Sequence, residues 1–308
     1  MLKRFSHKLQ KASPQKLTQW LAIFILCTLS TYLWLTYSIE LPSDNYTHSL
    51  KQSDYIIFAI LALVSYCLRA ARWIWMSSGM NLQVPKISNI TIYVAGFALS
   101  ATPGHVAELA KVVFLRQFNV SPSQAVILIF NDRFLDIITA ALIACLLITQ
   151  IPQIATALLI FLAILGLSIW LLQAFGRKNF HKKLAPLAVA MRTLLSPKIF
   201  SAALLLSILS WLCQSAIFYL IVSQFSDINF LTCAGIYMTA LALGALSMMP
   251  GGIGAAEISI GGLLSLFGVD VPTASFIALF TRLFTFWPAL LLGWVSLFLL
   301  SLQTRNNV

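Results

Sequence analysis

The sequence predicts an all-α polytopic membrane protein: an inverted-repeat helix bundle of about six full spans and two opposed re-entrant hairpins. Hydrophobic residues make up 59% of its 308 residues and charged residues only 9%, whereas about a quarter of a soluble domain is charged. The apolar runs have the length of a membrane-spanning helix and lack the alternation typical of a membrane β-barrel. A short motif also occurs twice within apolar sequence, which indicates two related halves.

Six apolar runs follow one another along the chain, each long enough to cross a bilayer. They cover about residues 17–39, 55–76, 123–149, 154–175, 199–224 and 272–302. The first run follows a basic stretch, as a signal peptide would, but it is too long for one and Glu40-Leu41-Pro42 is no cleavage site. We therefore expect this run to remain as an uncleaved first span.

Two further apolar regions, residues 88–118 and 231–268, are broken near the middle by Pro-Gly. The pieces 88–102 and 104–118 would each reach only about 22 Å as helix, which makes them half-spans. The piece 231–249 is long enough to cross. The alternative of ordinary short spans joined by surface Pro-Gly turns therefore stays open.

The repeated motif places a glutamate and an arginine at the same spacing in both copies. Glu108 is followed after 25 residues by Arg133, and Glu257 is followed after the same interval by Arg282. A lone charge at the bilayer centre costs about 2.5–3.5 kcal/mol on insertion scales. These charged residues are therefore not expected at lipid-exposed positions. The copies lie in repeats of about residues 88–149 and 231–302 within one transmembrane domain, 1–308.

Basic residues predict the orientation. The loop of about residues 176–198 and the N-terminal stretch are rich in lysine and arginine, which places both termini in the cytoplasm. Three crossings between the two copies then make the repeats inverted. Within the loop, anionic lipid is expected to contact Arg177, Lys178, Lys182 and Lys183. Its apolar positions fit a short interfacial helix, and an ordinary solvated loop fits equally well.

The helix starts after the two breaks are expected to converge near the midplane and form a substrate site. Free backbone N–H groups and the positive end of a helix dipole bind phosphate or carboxylate groups. The predicted substrate-binding residues are Pro103, Gly104, Glu108, Asp132, Arg133, Asp136, Pro250, Gly251, Gly252, Glu257 and Arg282.

The two arginines differ in their surroundings. Arg133 has acids one and three residues away in its own helix. Arg282 has none within four residues, so its partner must be Glu108, Glu257 or the substrate. With Lys111, the deep charged groups number three positive and four negative. Such a set also fits an ion-pair cluster that only holds two halves together, with the glutamates as helix-capping carboxylates.

No pattern indicates catalysis, a metal ion or a cofactor. The four histidines lack metal-ligand spacing, and the five cysteines lie singly in apolar runs as small packing residues. The longest loop has about 23 residues, which is short for an enzyme that holds a second substrate. We expect no catalytic residue, no metal, no cofactor and no nucleic-acid partner.

Several motifs resemble the lysylphosphatidylglycerol synthase transmembrane, or flippase-like, family over about residues 10–302. In the first half the resemblance lies in Gly96-Phe97, Pro103-Gly104, Glu108, Asn131-Asp132-Arg133 and Asp136; in the second it lies in Met249-Pro250-Gly251-Gly252-Ile253-Gly254, Glu257, Gly268-Val269, Arg282 and Gly293. His105 departs from the simpler residue expected there. The family's functional positions would map onto Glu108, Arg133, Glu257 and Arg282.

This resemblance implies an inner-membrane protein that moves, or helps to move, a lipid between leaflets. Suggested cargoes are aminoacylated phosphatidylglycerol and polyprenyl-phosphate-linked sugars. The chain stops at Val308 without a soluble aminoacyl-transferase domain, so lipid aminoacylation is not expected.

The expected function is a lipid flippase that moves a phosphate-bearing lipid between leaflets of the bacterial inner membrane, and not an enzyme. One alternative is a non-transporting scaffold for a glycosyltransferase or lipid synthase, with the basic 176–198 segment as docking surface. A membrane-embedded transferase is a further alternative, against which the short loops argue.

Overall fold

The structure is a computed structural model that describes residues 51–100, 102–147 and 196–306, with isolated helical positions between 26 and 38 and at 193. The predicted run 154–175 and the basic cluster at 177–183 lie outside the described residues, as does most of the run 17–39. The described part is helical and contains no β-strand.

Nine α-helices and three 3-10 segments follow one another in this described part. The α-helices are α1 Gln52–Gly79, α2 Lys86–Leu99, α3 Lys111–Arg116, α4 Pro122–Ala144, α5 Pro197–Val222, α6 Phe230–Leu246, α7 Ala255–Leu266, α8 Val271–Thr285 and α9 Trp287–Asn306. The 3-10 segments are Pro103–Ala110, Cys145–Leu147 and Pro250–Gly252.

Three stretches are long and apolar enough to cross a membrane by length and composition: α1, α5, and α8 together with α9. The shorter apolar helices are α2 and α6. Helix α4 has 23 residues, about 34 Å at 1.5 Å per residue, but it carries Asp132, Arg133 and Asp136. The predicted all-helical, apolar architecture is thus confirmed.

The predicted run 272–302 is divided in two. Helix α8 ends at Thr285 and α9 begins at Trp287, with Phe286 between them. Pro288 follows in the first turn of α9. Its ring lacks an N–H donor and clashes with the carbonyl four residues earlier, so a straight helix cannot continue through it.

Both copies of the repeat turn in the same way before their second helix. Asn119 at φ 58° and Gly268 at φ 84° take the left-handed conformation at matched positions. Ser121 and Asp270 then cap α4 and α8 by accepting a hydrogen bond from the backbone N–H three residues on, at 3.3 and 3.1 Å. The sequence repeat is therefore also a repeat of local structure.

The first Pro-Gly break is followed by a 3-10 segment, where the sequence predicted the start of an α-helix. The Thr102 hydroxyl accepts a hydrogen bond at 3.1 Å from the Ala107 N–H, which in an α-helix would bond to the Pro103 carbonyl. Glu108 therefore lies in a 3-10 segment and not in the first turn of an α-helix.

The second break resembles the prediction more closely. A 3-10 turn spans Pro250–Gly252, and α7 begins at Ala255, so that Glu257 lies in its first turn. The two 3-10 segments that carry the Pro-Gly breaks contact each other. The breaks of the two copies thus lie against each other.

The most extensive helix–helix contacts of the described residues are those of α1 with α5 and of α2 with α9. Helices α2 and α9 approach closely at Gly293. A Cβ atom there would lie 2.3 Å from the backbone nitrogen of Ala98. Only glycine fits this contact without a shift of one helix.

Gly293→Ala is expected to destabilise the protein by about 1–3 kcal/mol, because the added methyl group forces α2 and α9 apart. Thermal unfolding in detergent measures the effect. Gly262→Ala is the matched control, since nothing lies within 4 Å of a Cβ atom at that position. Equal melting temperatures for the two variants would contradict the close contact.

Candidate functional site

Three cations and three carboxylates meet in the first half of the protein. This first-half cluster consists of Arg72, Lys111, Arg133, Glu108, Asp132 and Asp136. Its members come from α1, α3, α4 and the first 3-10 segment. Five of the six are buried or nearly so, and formal charges within the cluster balance.

Arg72 lies at the centre of the first-half cluster with no exposed side-chain surface. Its Nη2 donates to Asp132 Oδ1 at 2.6 Å, and its Nη1 donates to Asp136 Oδ1 at 2.7 Å. Nη1 also donates to the Ser207 hydroxyl at 2.7 Å. These bonds join α1, α4 and α5. A buried charge needs such pairing, because apolar surroundings do not solvate it.

Arg133 contacts all three carboxylates of the cluster from its outer side. Its Nη2 lies 3.3 Å from Asp132 Oδ2, its Nη1 3.3 Å from Asp136 Oδ2, and its Nε 3.3 Å from Glu108 Oε2. The side chain is 32% exposed. Arg133 is therefore the member of the first-half cluster that a ligand reaches most readily.

Lys111 supplies the second cation for Glu108. Its Nζ donates to Glu108 Oε2 at 3.2 Å, and both side chains are buried. The ammonium group also lies 5.1 Å from the ring centres of Trp73 and Tyr93, within the range of a cation–π contact. Each carboxylate of the cluster thus has two cationic neighbours.

A smaller cluster forms around the Glu–Arg pair of the second repeat. It consists of Glu257, Arg282 and, from the N-terminal part of the chain, Tyr32. Arg282 Nε donates to Glu257 Oε1 at 3.0 Å, and the Tyr32 hydroxyl donates to the same oxygen at 3.0 Å. The other carboxylate oxygen accepts the Gly254 N–H at 2.6 Å. Glu257 therefore caps α7, as the structural alternative expected, and also pairs with an arginine.

The glycines of the second break shape this cluster. Gly251 has φ 62°, a left-handed conformation that favours glycine, and its carbonyl accepts a hydrogen bond from Arg282 Nη2 at 2.8 Å. The Arg282 guanidinium lies 4.2 Å from the Phe286 ring centre. Gly252 is buried against the backbone of Gly244. The loop at the second break is thus held by the Arg282 side chain of α8 and by its own 3-10 turn, Pro250–Gly252.

The equal spacing of the repeat corresponds to two matched ion pairs. Arg133 lies 3.3 Å from Glu108, and Arg282 lies 3.0 Å from Glu257. The expectation that Glu257 or Glu108 would neutralise Arg282 is thereby confirmed, with Glu257 as the partner. Arg133 is neutralised within α4 as predicted, and by Glu108 in addition.

The two arginines differ in exposure. Arg282 is 6% exposed at its side chain, against 32% for Arg133. The ion pairs of the described residues each stay within one cluster, while the 3-10 segments beside the clusters touch. Of the other predicted site residues, Pro103 and Gly104 begin the first 3-10 segment, and Pro250 begins the third.

Sequence reasoning missed Arg72 and Tyr32. Arg72 lies within the predicted apolar run 55–76, and a charge inside such a run was the signal that could have found it. Tyr32 is 225 residues from its partner Glu257, and no sequence pattern indicated that contact. With Arg72, the two clusters together hold four cations and four carboxylates, which corrects the predicted excess of acid in this set.

The arrangement suits binding of an anion more than covalent chemistry. Each carboxylate of the two clusters is held by at least one cation, so none is poised as a free base. An arginine fork matches the oxygens of a phosphate and binds it with charge-assisted hydrogen bonds. The described residues contain no group of three or more metal-ligating side chains.

Arg72→Met is expected to destabilise the protein by about 3–5 kcal/mol, because Asp132 and Asp136 lose the cation buried between them. The yield of monodisperse protein and its melting temperature in detergent measure this loss. Arg116→Met removes a cation from an exposed position on α3 and serves as the control. A melting temperature of Arg72→Met equal to that of the wild type would show that Arg72 does not hold the cluster together.

Comparison with known proteins agrees with the architecture and the motifs. Residues 19–293 match the family described as lysylphosphatidylglycerol synthase TM region. A UPF0104 membrane protein of Pyrococcus horikoshii is 26% identical over 287 residues, covering 77% of this chain and 85% of that protein. A UPF0104 membrane protein of Methanothermobacter thermautotrophicus is 39% identical over 90 residues, covering 29% of this chain and only 27% of that protein. The chain belongs to the lysylphosphatidylglycerol synthase transmembrane-region family of membrane proteins.

Proposed function

We propose that the protein is a lipid flippase that moves a phosphate-bearing lipid between the leaflets of the membrane. The cargo would be a phospholipid or a polyprenyl-phosphate-linked sugar, whose phosphate is bound by Arg133 and Arg282 in turn. The acyl or prenyl chains would stay in lipid. No covalent step is part of this function.

The observation that carries the proposal is the exposure of Arg133 within an otherwise buried cluster. Its side chain is 32% exposed. Each carboxylate that Arg133 contacts has a second cation, either Arg72 or Lys111. Each of these carboxylates therefore keeps one cationic contact when the Arg133 guanidinium turns to an incoming phosphate, to which it can donate charge-assisted hydrogen bonds.

The matched halves support alternating contact with the two leaflets. Two Glu–Arg pairs at equal spacing, two left-handed turns and two contacting 3-10 segments fit an inverted repeat with opposed re-entrant hairpins. Substrate sites of secondary transporters lie between such broken elements near the midplane. We include in the proposal a bacterial inner-membrane location with both termini in the cytoplasm.

A purely structural role for the ion pairs is the competing interpretation, and it is compatible with a scaffold for a glycosyltransferase or lipid synthase. The capping contact between Glu257 and the Gly254 N–H favours it. Under that interpretation the charges need only be paired. Under the transport interpretation the arginines must also be free to exchange a carboxylate for a phosphate.

Arg133→Gln and Arg282→Gln are expected to reduce leaflet exchange at least tenfold, since each loses a charge-assisted contact to the phosphate. Exchange of a fluorescent phosphatidylglycerol in proteoliposomes measures this rate, with chemical quenching of the outer leaflet. Arg116→Gln lacks one exposed cation outside both clusters and should exchange lipid at the wild-type rate.

Folding must be compared in the same samples. We expect Arg133→Gln to reconstitute and to give helical circular dichroism like that of the wild type, because each carboxylate around Arg133 keeps a contact to Arg72 or Lys111. Arg282→Gln leaves Glu257 with the hydrogen bonds from Tyr32 and the Gly254 N–H but without its arginine, so its exchange rate is compared only in samples with wild-type circular dichroism. Wild-type exchange rates in both folded variants would refute the proposed site. Exchange no faster in wild-type vesicles than in protein-free vesicles would refute transport itself and favour the scaffold.

A further inference from the structure

Arg69 is a cation inside the bundle that has no acidic partner among the described residues. It lies on α1 one turn before Arg72, far from either end of that helix. Its one hydrogen bond to the described residues goes from Nε to the Ser210 hydroxyl at 2.9 Å. The terminal nitrogen Nη2 is buried without a partner.

This situation is unfavourable unless something else neutralises the charge. An arginine inside a membrane-spanning helix is costly alone, and such residues normally pair or face a polar pathway. The other interior cations of the described part, Arg72, Lys111, Arg133 and Arg282, each have a carboxylate within 3.3 Å. Arg69 differs from all four.

The Trp211 indole connects Arg69 to the first-half cluster. The Arg69 guanidinium carbon lies 3.9 Å from the centre of the Trp211 ring. This cation–π contact holds the planar guanidinium group against the indole. The indole Nε1 donates to Asp136 Oδ1 at 3.1 Å. Asp136 in turn contacts Arg133 at 3.3 Å. Arg69 and Arg133 thus lie on either side of a Trp211–Asp136 bridge.

We propose that Arg69 is a second phosphate-binding position, next to Arg133, on the path of the lipid headgroup. The inference rests on the proposed function and adds a site to it. The first-half cluster together with Arg69 holds four cations against three carboxylates. One phosphate would restore neutrality. The Trp211 ring keeps the planar fork in place, which favours bidentate contact with phosphate oxygens.

The ligand chemistry is a phosphate group with at least one negative charge. A lipid headgroup and free inorganic phosphate both carry it, and the two sources are separated by testing both. The probes are short-chain phosphatidylglycerol and inorganic phosphate.

The test measures binding to the purified full chain in detergent by native mass spectrometry and by ligand-dependent melting temperature. R69M and R69Q are compared with the wild type, and R116M is the control for loss of one exposed cation. We expect both Arg69 variants to bind phosphatidylglycerol about tenfold more weakly or worse. R116M should match the wild type.

A second readout separates a binding role from a structural one. Removal of an unpaired cation from an apolar bundle leaves the melting temperature without ligand unchanged or raises it, and only the stabilisation by phosphatidylglycerol is lost. A structural arginine would instead lower the melting temperature and leave ligand binding intact. Methionine is apolar, whereas glutamine keeps hydrogen-bonding capacity, so the two substitutions do not share one cause of misfolding. If one variant fails to fold, phosphatidylglycerol binding is measured with the other.

Each result has one meaning. Arg69-dependent binding of phosphatidylglycerol supports a headgroup site, whereas Arg69-dependent binding of inorganic phosphate alone overturns the lipid assignment. Unchanged binding in both Arg69 variants overturns the inference; if Arg133→Gln still abolishes leaflet exchange, the proposed function stands without it. The opposite result is also distinguishable. If R69M loses phosphatidylglycerol binding while Arg133→Gln and Arg282→Gln exchange lipid at the wild-type rate, Arg133 and Arg282 are not the transport site proposed above.

Discussion

The pairing of Arg72 with Asp132 and Asp136 is the interaction on which the rest of the structure depends. Three charges are buried together in an apolar bundle, at 2.6 and 2.7 Å, and they join α1 to α4 while Ser207 adds α5. Apolar surroundings make each charge costly alone and tolerable only in combination. Arg72 gives Asp132 and Asp136 one cationic contact each, so Arg133 can lie at the edge of the cluster, partly exposed, as the second cation of both carboxylates.

A second constraint comes from the backbone at the two Pro-Gly breaks. Irregular backbone at membrane depth is tolerated only where protein or a water-filled cavity surrounds it. Here the two broken segments touch each other, and each has a glutamate paired with the arginine 25 residues later. The second break is further held by Arg282 on the Gly251 carbonyl and by Glu257 on the Gly254 N–H. The same residues therefore stabilise the break and present cations beside it.

Much of this could be predicted from the sequence, and the failures have physical causes. Composition predicted helices in an apolar bundle, and the Glu-to-Arg interval predicted the partner of Arg282, because both signals are local or repeated. The 3-10 segment before Lys111 was not predictable, since it depends on where the Thr102 hydroxyl points. The contact of Tyr32 with Glu257 joins residues 225 positions apart. Arg72 was overlooked because a single arginine barely changes the hydropathy of a long run, although its burial changes the charge balance of the site.

Binding of a membrane lipid's phosphate by these arginines can be tested without a chosen probe. Lipids that copurify with the protein from its native membrane are identified by mass spectrometry, comparing the wild type with Arg133→Gln. We expect the wild type to be enriched in an anionic phosphate-bearing lipid relative to the bulk membrane, and the enrichment to fall in the variant. Lipids in bulk proportions in the wild type, or equal enrichment in both proteins, would contradict it.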